Sequence, residues 1–262
     1  MSIVIQCPAK LNLFLSVGPK DHRGYHPLRS IFQAVSLYDE LHIERATTLS
    51  FECDDPLVPQ ENTVTKAARL MMEVVDFPPV HINLIKRIPS EAGLGGGSSD
   101  AAGLIRASRQ LMSAPLPDYE RKAIAKSIGA DVTFFLTGGR AKAEGYGEKI
   151  TPIASPDPLE WYVIAQPEDR CSTKTAYAQL DEKQYEWLDF PTEDIFYNDF
   201  ERVAPCGSLE LIERLMVHGA TGAGLTGSGS AVFGRFNSEK EALTAESKLK
   251  QEAPFAVAVH SL

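Results

Sequence analysis

The 262 residues contain no apolar run of about 18, so no transmembrane helix is expected. Positive charge is the scarcer sign: 26 Lys and Arg stand against 35 Asp and Glu, a formal charge of −9. That balance excludes general affinity for nucleic acid or for an anionic membrane surface, and neither is expected as a partner. Cysteine is sparse too. Cys7, Cys53, Cys171 and Cys206 form no C-x-x-C pair, so free, buried thiols in a reducing cytoplasm are expected rather than zinc or disulfides. His22 and His26 are four apart, but the glycine between them suggests a turn, not a shared helical face, and no structural zinc is expected. Met1 leads at once into strand-like Ile3 to Ile5, leaving no room for a signal or transit peptide; a cytoplasmic location is expected. No internal repeat or low-complexity tract is visible.

What the chain does have is a dense glycine segment. Four glycines fall within the five positions from Gly93 to Gly97, interrupted by Leu94, and run into Ser98 and Ser99. A helix-forming stretch from Ala101 to Met112 follows. Glycine permits a positive φ and close backbone approach to a ligand. A helix start just behind it offers unpaired N–H groups and the positive end of a dipole. Together they suit a phosphate. No G-x-x-x-x-G-K-[ST] is present, and no acidic residue about 20 residues on sits in the βαβ context that a dinucleotide site requires. Lys10, Lys86 and Arg87 offer local positive charge for an anionic ligand despite the overall balance.

Along the chain, Ile3 to Val17 alternates as a strand, with Leu11, Leu13 and Leu15 on one face and Lys10, Asn12 and Phe14 on the other. Ile31 to Ile43 is strand-rich, Asn62 to Val75 helical, Val80 to Ile88 a strand, and Ser99 to Met112 a helix. A helix from Tyr119 to Ile128 and a strand or hairpin at Ala141 to Lys149 come next. Three prolines between Pro152 and Pro158 mark a domain boundary, dividing the chain into 1–154 and 155–262. Beyond it the order is strand Trp161 to Ala165, helices Thr173 to Leu180 and Ser208 to His218, a glycine-rich turn and strand Ala231 to Phe236. Helix Glu239 to Gln251 and strand Phe255 to His260 close the chain. This is an α+β chain, with helices on one face of an antiparallel sheet. Asp131, after Gly129 and Ala130 and before the apolar run Val132 to Leu136, either caps a turn or serves chemistry.

Three motifs carry a resemblance, and three further stretches narrow it. Pro89, Ser90, Glu91, Ala92, Gly93, Leu94, Gly95, Gly96, Gly97, Ser98 and Ser99 resemble the second motif of the galactokinase, homoserine kinase, mevalonate kinase and phosphomevalonate kinase (GHMP) superfamily. Pro8 to Leu13 is similar to its first motif, and Gly222 to Phe233 to its third. Gly24 to Leu28, Ser30 to Gln33 and Gly129 to Val132 are similar to the branch of the non-mevalonate isoprenoid route. The resemblance runs from Pro8 to about Phe233. It implies an N-terminal α/β domain of the ribosomal S5 domain 2-like kind and a C-terminal ferredoxin-like α/β sandwich.

The resemblance also implies chemistry: phosphoryl transfer from ATP, with Mg2+, to a hydroxyl of a cytidylyl diphosphate sugar alcohol. The protein would be a monomer or homodimer. Lys10 and Asp131 would be the catalytic pair. The loop from Pro89 to Ser99 would wrap the phosphates, with Ser98 and Ser99 touching phosphate oxygens or Mg2+; no carboxylate ligand for the metal is identified. Asn62 and Lys86 match positions near the nucleobase and ribose. Tyr25 and His26 would read cytosine, Asn12 would reach the sugar-alcohol end, and Gly227 and Ser228 would complete the substrate wall. Arg23, Thr133 and Thr226 stand where the branch usually has Asp, Pro and Ser, and the stretch from Cys171 to Asn198 is short. Rival readings are a kinase of homoserine or mevalonate, and a related ATP-dependent decarboxylase.

Overall fold

A computed structural model describes residues 2–193 and 195–262. Its contacts divide the chain into two compact units. The first holds Met1–Ala9, Leu37–Ser90 and Gly95–Gly138; the second holds Lys10–Ser36, Glu91–Leu94 and Gly139–Leu262.

Strands β1 (Ser2–Val17) and β2 (Leu28–Arg45) contribute residues to both units. The first unit adds β3 (Ser50–Cys53), α1 (Thr63–Val74) and β4 (Val80–Ile85). It continues with α2 (Gly96–Leu111), α3 (Asp118–Ile128) and the one-turn α4 (Val132–Phe135). The later half of β2 pairs antiparallel with β4, from Glu40 opposite Ile85 to Arg45 opposite Val80, and β3 pairs parallel with β4. Burial follows period two in both strands: Leu37, Asp39, Leu41 and Ile43 in β2, and Val80, Ile82 and Leu84 in β4, point inward. Helix α2 lies close on this sheet. A Cβ at Gly103 would stand 2.4 Å from Cys7 Sγ, so only glycine fits there.

The second unit carries β5 (Arg140–Glu144), β6 (Lys149–Ile153), β7 (Trp161–Gln166), α5 (Thr173–Leu180) and the short β8 (Tyr197–Asn198). A 3₁₀ turn at Asp199–Val203 follows. Then come α6 (Cys206–Val217), β9 (Gly222–Leu225), β10 (Val232–Phe236), α7 (Glu239–Leu249) and β11 (Phe255–His260). Strands β11, β7, β10 and β9 form an antiparallel sheet in that order. With α6 and α7 they give the β-α-β-β-α-β succession of a ferredoxin-like layer. Val163, Ala165, Leu211, Leu215, Val232, Ala245 and Leu249 fill its core. Ser238 accepts from Glu241 N to start α7.

Two boundaries differ from expectation in ways that matter. Helix α2 starts at Gly96 rather than Ser99, so the glycines themselves form its first turn. Strand β4 ends at Ile85, three residues before Ile88, because the N–H groups of Arg87 and Ile88 turn to the Asp39 carboxylate. The glycine-rich turn expected before β10 contains a strand of its own, β9. Of the cysteines, all free, only Cys7 is buried; Cys53 and Cys171 are half-buried and Cys206 is exposed. Among the described residues no helix is long and apolar enough to cross a membrane.

Candidate active site

In the second unit, Lys10 and Asn12 face the same way, as the alternation of β1 predicts. Lys10 Nζ donates to Asn12 Oδ1 at 2.5 Å and to the Gly93 carbonyl at 2.6 Å, and it is almost wholly buried. Its backbone N–H bonds Leu94 O. Asn12 is fully engaged: its Nδ2 donates to Ser30 Oγ at 2.8 Å, and its Oδ1 accepts from Gly227 N at 2.8 Å. The Thr226 hydroxyl donates toward Asn12 Oδ1 and accepts from Asn12 N at 3.1 Å, so threonine keeps the hydroxyl function of serine here. Gly93 and Gly227 meet backbone to backbone. A Cβ on Gly93 would lie 2.2 Å from Thr226 O, and one on Gly227 2.8 Å from Gly93 Cα. Ser228 is buried, with its hydroxyl 2.9 Å from that of Thr173.

Asn198 and Asp199 escape sequence reasoning. Asn198 Nδ2 donates to the carbonyls of Leu225 and Gly227, both at 2.9 Å, and so braces the turn that carries Gly227. Asp199, fully buried, accepts from Val17 N at 2.8 Å and from Tyr197 Oη at 2.5 Å. The partners that give them their place, Val17, Leu225 and Gly227, are distant in sequence.

In the first unit, Gly95 sits at the N-cap of α2 with φ 74° and gives no side-chain cap. The leading N–H groups of α2 therefore lack a side-chain acceptor of their own. Gly97 is exposed, Ser98 half-buried and Ser99 buried, its Oγ without a hydrogen-bond partner. Pro89 and Ser90 are half-buried, and Ser90 Oγ reaches Asp55 Oδ2 at 3.5 Å. Of the loop residues that fall in the second unit, Glu91 is exposed at φ 57°, and Ala92 and Leu94 are buried. Asp131 occupies the position before α4, yet its side chain makes no cap hydrogen bond. The capping role is thus not what its carboxylate performs. Lys10 belongs to the second unit and Asp131 to the first.

Asn62 and Lys86 have their functional groups engaged within the first unit. Asn62 Oδ1 accepts from Val64 N and Thr65 N, and its backbone N–H bonds Thr65 Oγ1, closing a capping box on α1. Lys86, rather than facing solvent, has its ammonium buried between Asp39 and Asp100, the latter at 3.4 Å. Burial pulls the Lys86 pKa down, but the two carboxylates outweigh it and leave it raised. Burial, reinforced by the Asp39 charge, pushes Asp100 up to about 8, and Asp100 Oδ1 has no hydrogen-bond partner. Asp39 is legible in principle: it falls on the inward parity of β2, among Leu37, Leu41 and Ile43.

Tyr25 and His26 separate. His26 is buried, its Nδ1 2.9 Å from Gly18 O and its ring stacked on Tyr177. Its Nε2 stands 3.1 Å from Asp181 Oδ1, out of line for a good hydrogen bond. It lines a cleft of about 580 Å³ with Val17, Lys20, Asp181, Tyr185 and Trp187. Tyr25 is 65% exposed and outside that lining, its ring edge-on to Tyr146. Asp21 orders the loop, with Oδ1 accepting from the N–H groups of Arg23 and Tyr25. Arg23 in turn bonds Asp21 and Tyr146. Thr133 lies inside α4.

The glycine-led helix start in one unit and the ferredoxin-like layer in the other define a kinase of the GHMP class. Family models agree: GHMP kinases N terminal domain matches residues 62–139, and GHMP kinases C terminal matches residues 208–254. A 4-diphosphocytidyl-2-C-methyl-D-erythritol kinase of Acetivibrio thermocellus is 38% identical over 95% of both chains. A crystal structure of 4-(cytidine 5'-diphospho)-2C-methyl-D-erythritol kinase superposes with a TM-score of 0.87, at 33% identity over 99% of both chains. The homoserine kinase of Cytophaga hutchinsonii, 18% identical with a TM-score of 0.74 over 100% of this chain and 94% of its own, shares the fold alone. The chain belongs to the 4-diphosphocytidyl-2-C-methyl-D-erythritol kinase family.

Proposed function

We propose that the chain is a cytoplasmic kinase that transfers the γ-phosphoryl group of ATP to the 2-hydroxyl of 4-diphosphocytidyl-2-C-methyl-D-erythritol, giving the 2-phosphate and ADP. The likeness to the Acetivibrio thermocellus kinase over nearly the full length of both chains carries this reading. Residues 1–154 would bring the phosphate-binding helix, and 155–262 the ferredoxin-like layer.

Phosphoryl transfer asks a protein to position the nucleophile, neutralise developing charge and accept a proton. The first turn of α2, uncapped by any side chain, supports phosphate binding at Gly96, Gly97 and Ser98. Asp131 is the acceptor of the hydroxyl proton, and Lys10 orients the hydroxyl and offsets charge on the transferred group. Asn12 holds Lys10 in place and faces the sugar-alcohol end. His26 reads the pyrimidine from its cleft, Tyr25 adds an exposed ring, and Gly227 and Ser228 shape the wall. Asn62 and Lys86 serve the nucleotide side through the elements they hold. Mg2+ would supply charge neutralisation on the transferred phosphoryl group. The unpaired Ser99 hydroxyl, with Ser98 beside it, fits such an ion. Among the described residues no group of three His, Cys, Asp or Glu could hold a metal.

The deciding experiment is ADP release from Mg-ATP with the cytidylyl substrate, methylerythritol phosphate, mevalonate or homoserine. Turnover confined to the first, with phosphate retained in the product, is expected. Asp131→Ala lowers kcat by roughly 10²- to 10⁴-fold with little change in ATP affinity. Equal turnover of mevalonate or homoserine removes the substrate assignment, release of carbon dioxide points to the decarboxylase, and near-normal kcat in Asp131→Ala removes the base.

A further inference from the structure

Three ionisable side chains of the first unit lie buried behind the start of α2. Asp39 is fully buried and Asp100 nearly so, and the Lys86 side chain is 8% exposed. Removing such groups from water costs several kcal/mol each unless they are paired and hydrogen-bonded. Asp39 is satisfied on both oxygens: Oδ1 accepts from Arg87 N at 2.6 Å and Ile88 N at 2.8 Å, and Oδ2 accepts from Lys86 Nζ. Lys86 Nζ also reaches Asp100 Oδ2, on the fifth residue of α2. Gly96, the first residue of α2, packs directly on this pair. A Cβ there would meet Lys86 Nζ at 3.0 Å and Asp39 Oδ2 at 3.3 Å.

Hydrophobic residues of similar volume would fill the same space at less cost. A buried, hydrogen-bonded cluster offers direction instead. Its bonds join the residues leaving β4, through Arg87 and Ile88, to the helix that begins at Gly96. Small displacements of a phosphate-binding helix start weaken every N–H contact it makes, so rigidity there has a chemical use.

We propose that Asp39, Lys86 and Asp100 are positioning residues that fix the first turn of α2 for the phosphates of ATP. Lys86 acts through Asp39 and Asp100 rather than by touching the nucleotide. The proposal rests on the kinase reading and deepens it at the nucleotide site.

Asp39 and Asp100 are too buried to reach a ligand, so variants there separate positioning from contact. Asp100→Ala removes the bond to Lys86, whereas Asp100→Asn keeps an acceptor oxygen in its place. The expected result for Asp100→Ala is a rise of about tenfold in KM for ATP and an equal loss of affinity for a fluorescent ADP analogue. KM for the cytidylyl substrate stays within about twofold, and Asp100→Asn restores ATP binding to near the wild-type value. Asp39→Asn follows Asp100→Ala; if it does not fold, the two Asp100 variants decide between positioning and structure alone. A lowered thermal midpoint with unchanged ADP affinity in Asp100→Ala would show a structural role only and overturn the proposal. A loss confined to Lys86→Met would show direct contact and overturn it equally. Binding of the ADP analogue needs no acceptor, so an error in the assigned substrate leaves this test intact.

Discussion

Helices α1 and α2 stand in the same unit and start in opposite ways. Asn62 closes α1 with a reciprocal capping box, satisfying its leading N–H groups from within. Gly95 opens α2 in the left-handed region and offers no side chain at all. A capped start is finished and asks nothing of its surroundings. An uncapped start keeps donors and a dipole end for water or an anion. The contrast extends to the glycines themselves. Gly93, in the second unit, is required by the carbonyl of Thr226 pressed against it, whereas Gly97 is exposed and has only the Thr63 hydroxyl near, 3.1 Å from where a Cβ would stand. One glycine serves packing and the other leaves room at a site.

The largest effect follows from that distinction. Gly93→Ala places a Cβ against backbone at a φ of 80° and should cost about 3 kcal/mol or more, read as a fall in the denaturation midpoint. Gly97→Ala should leave the midpoint within about 1 kcal/mol, because alanine favours helix, yet weaken ADP binding several-fold. Equal midpoints for the two variants would break the division between packing and site glycines. Asn62→Ala comes next. Loss of the cap should cost about 1 kcal/mol, with ADP affinity unchanged once folding is allowed for. A tenfold loss of ADP affinity in that variant would instead make Asn62 a ligand contact.

Much of this is legible in the residues. Period-two burial marks β4 and the later half of β2, and Thr173–Leu180 and Phe255–His260 match their expected spans residue for residue. The α+β class and the two-part GHMP architecture agree with the structure and the family models. Within the site, the alternation that sets Lys10 beside Asn12 holds to 2.5 Å. The start of α2 is misplaced by sequence because glycine is a poor helix former, and low propensity hides the turn that matters most. Tyr25 and His26 look like one unit in sequence, but the residue before a proline is held extended, and His26 turns inward while Tyr25 faces out. In sequence Lys86 reads as local positive charge for an anionic ligand, because its carboxylates come from β2 and α2, 47 and 14 residues away. The parity of Asp39 alone gives warning: a carboxylate at an inward strand position needs a buried cation or donors.

The smallest effect sharpens the account of α1. Glu61, just before the cap, pairs with Arg69 through both terminal guanidinium nitrogens, and an acid near a helix start is favourable to the dipole. Geometry alone would credit this pair with holding the helix start. Both side chains, however, are more than half exposed. Water and salt screen such a pair, and ordering two long side chains offsets most of its attraction. The neutral amide of Asn62, with its two backbone donors, is therefore the group that holds the start. Arg69→Ala should leave the thermal midpoint unchanged within error at physiological salt, with at most a slight fall at low salt. A fall as large as that of Asn62→Ala, persisting at high salt, would show that charge closes α1 and would remove half of the contrast with α2.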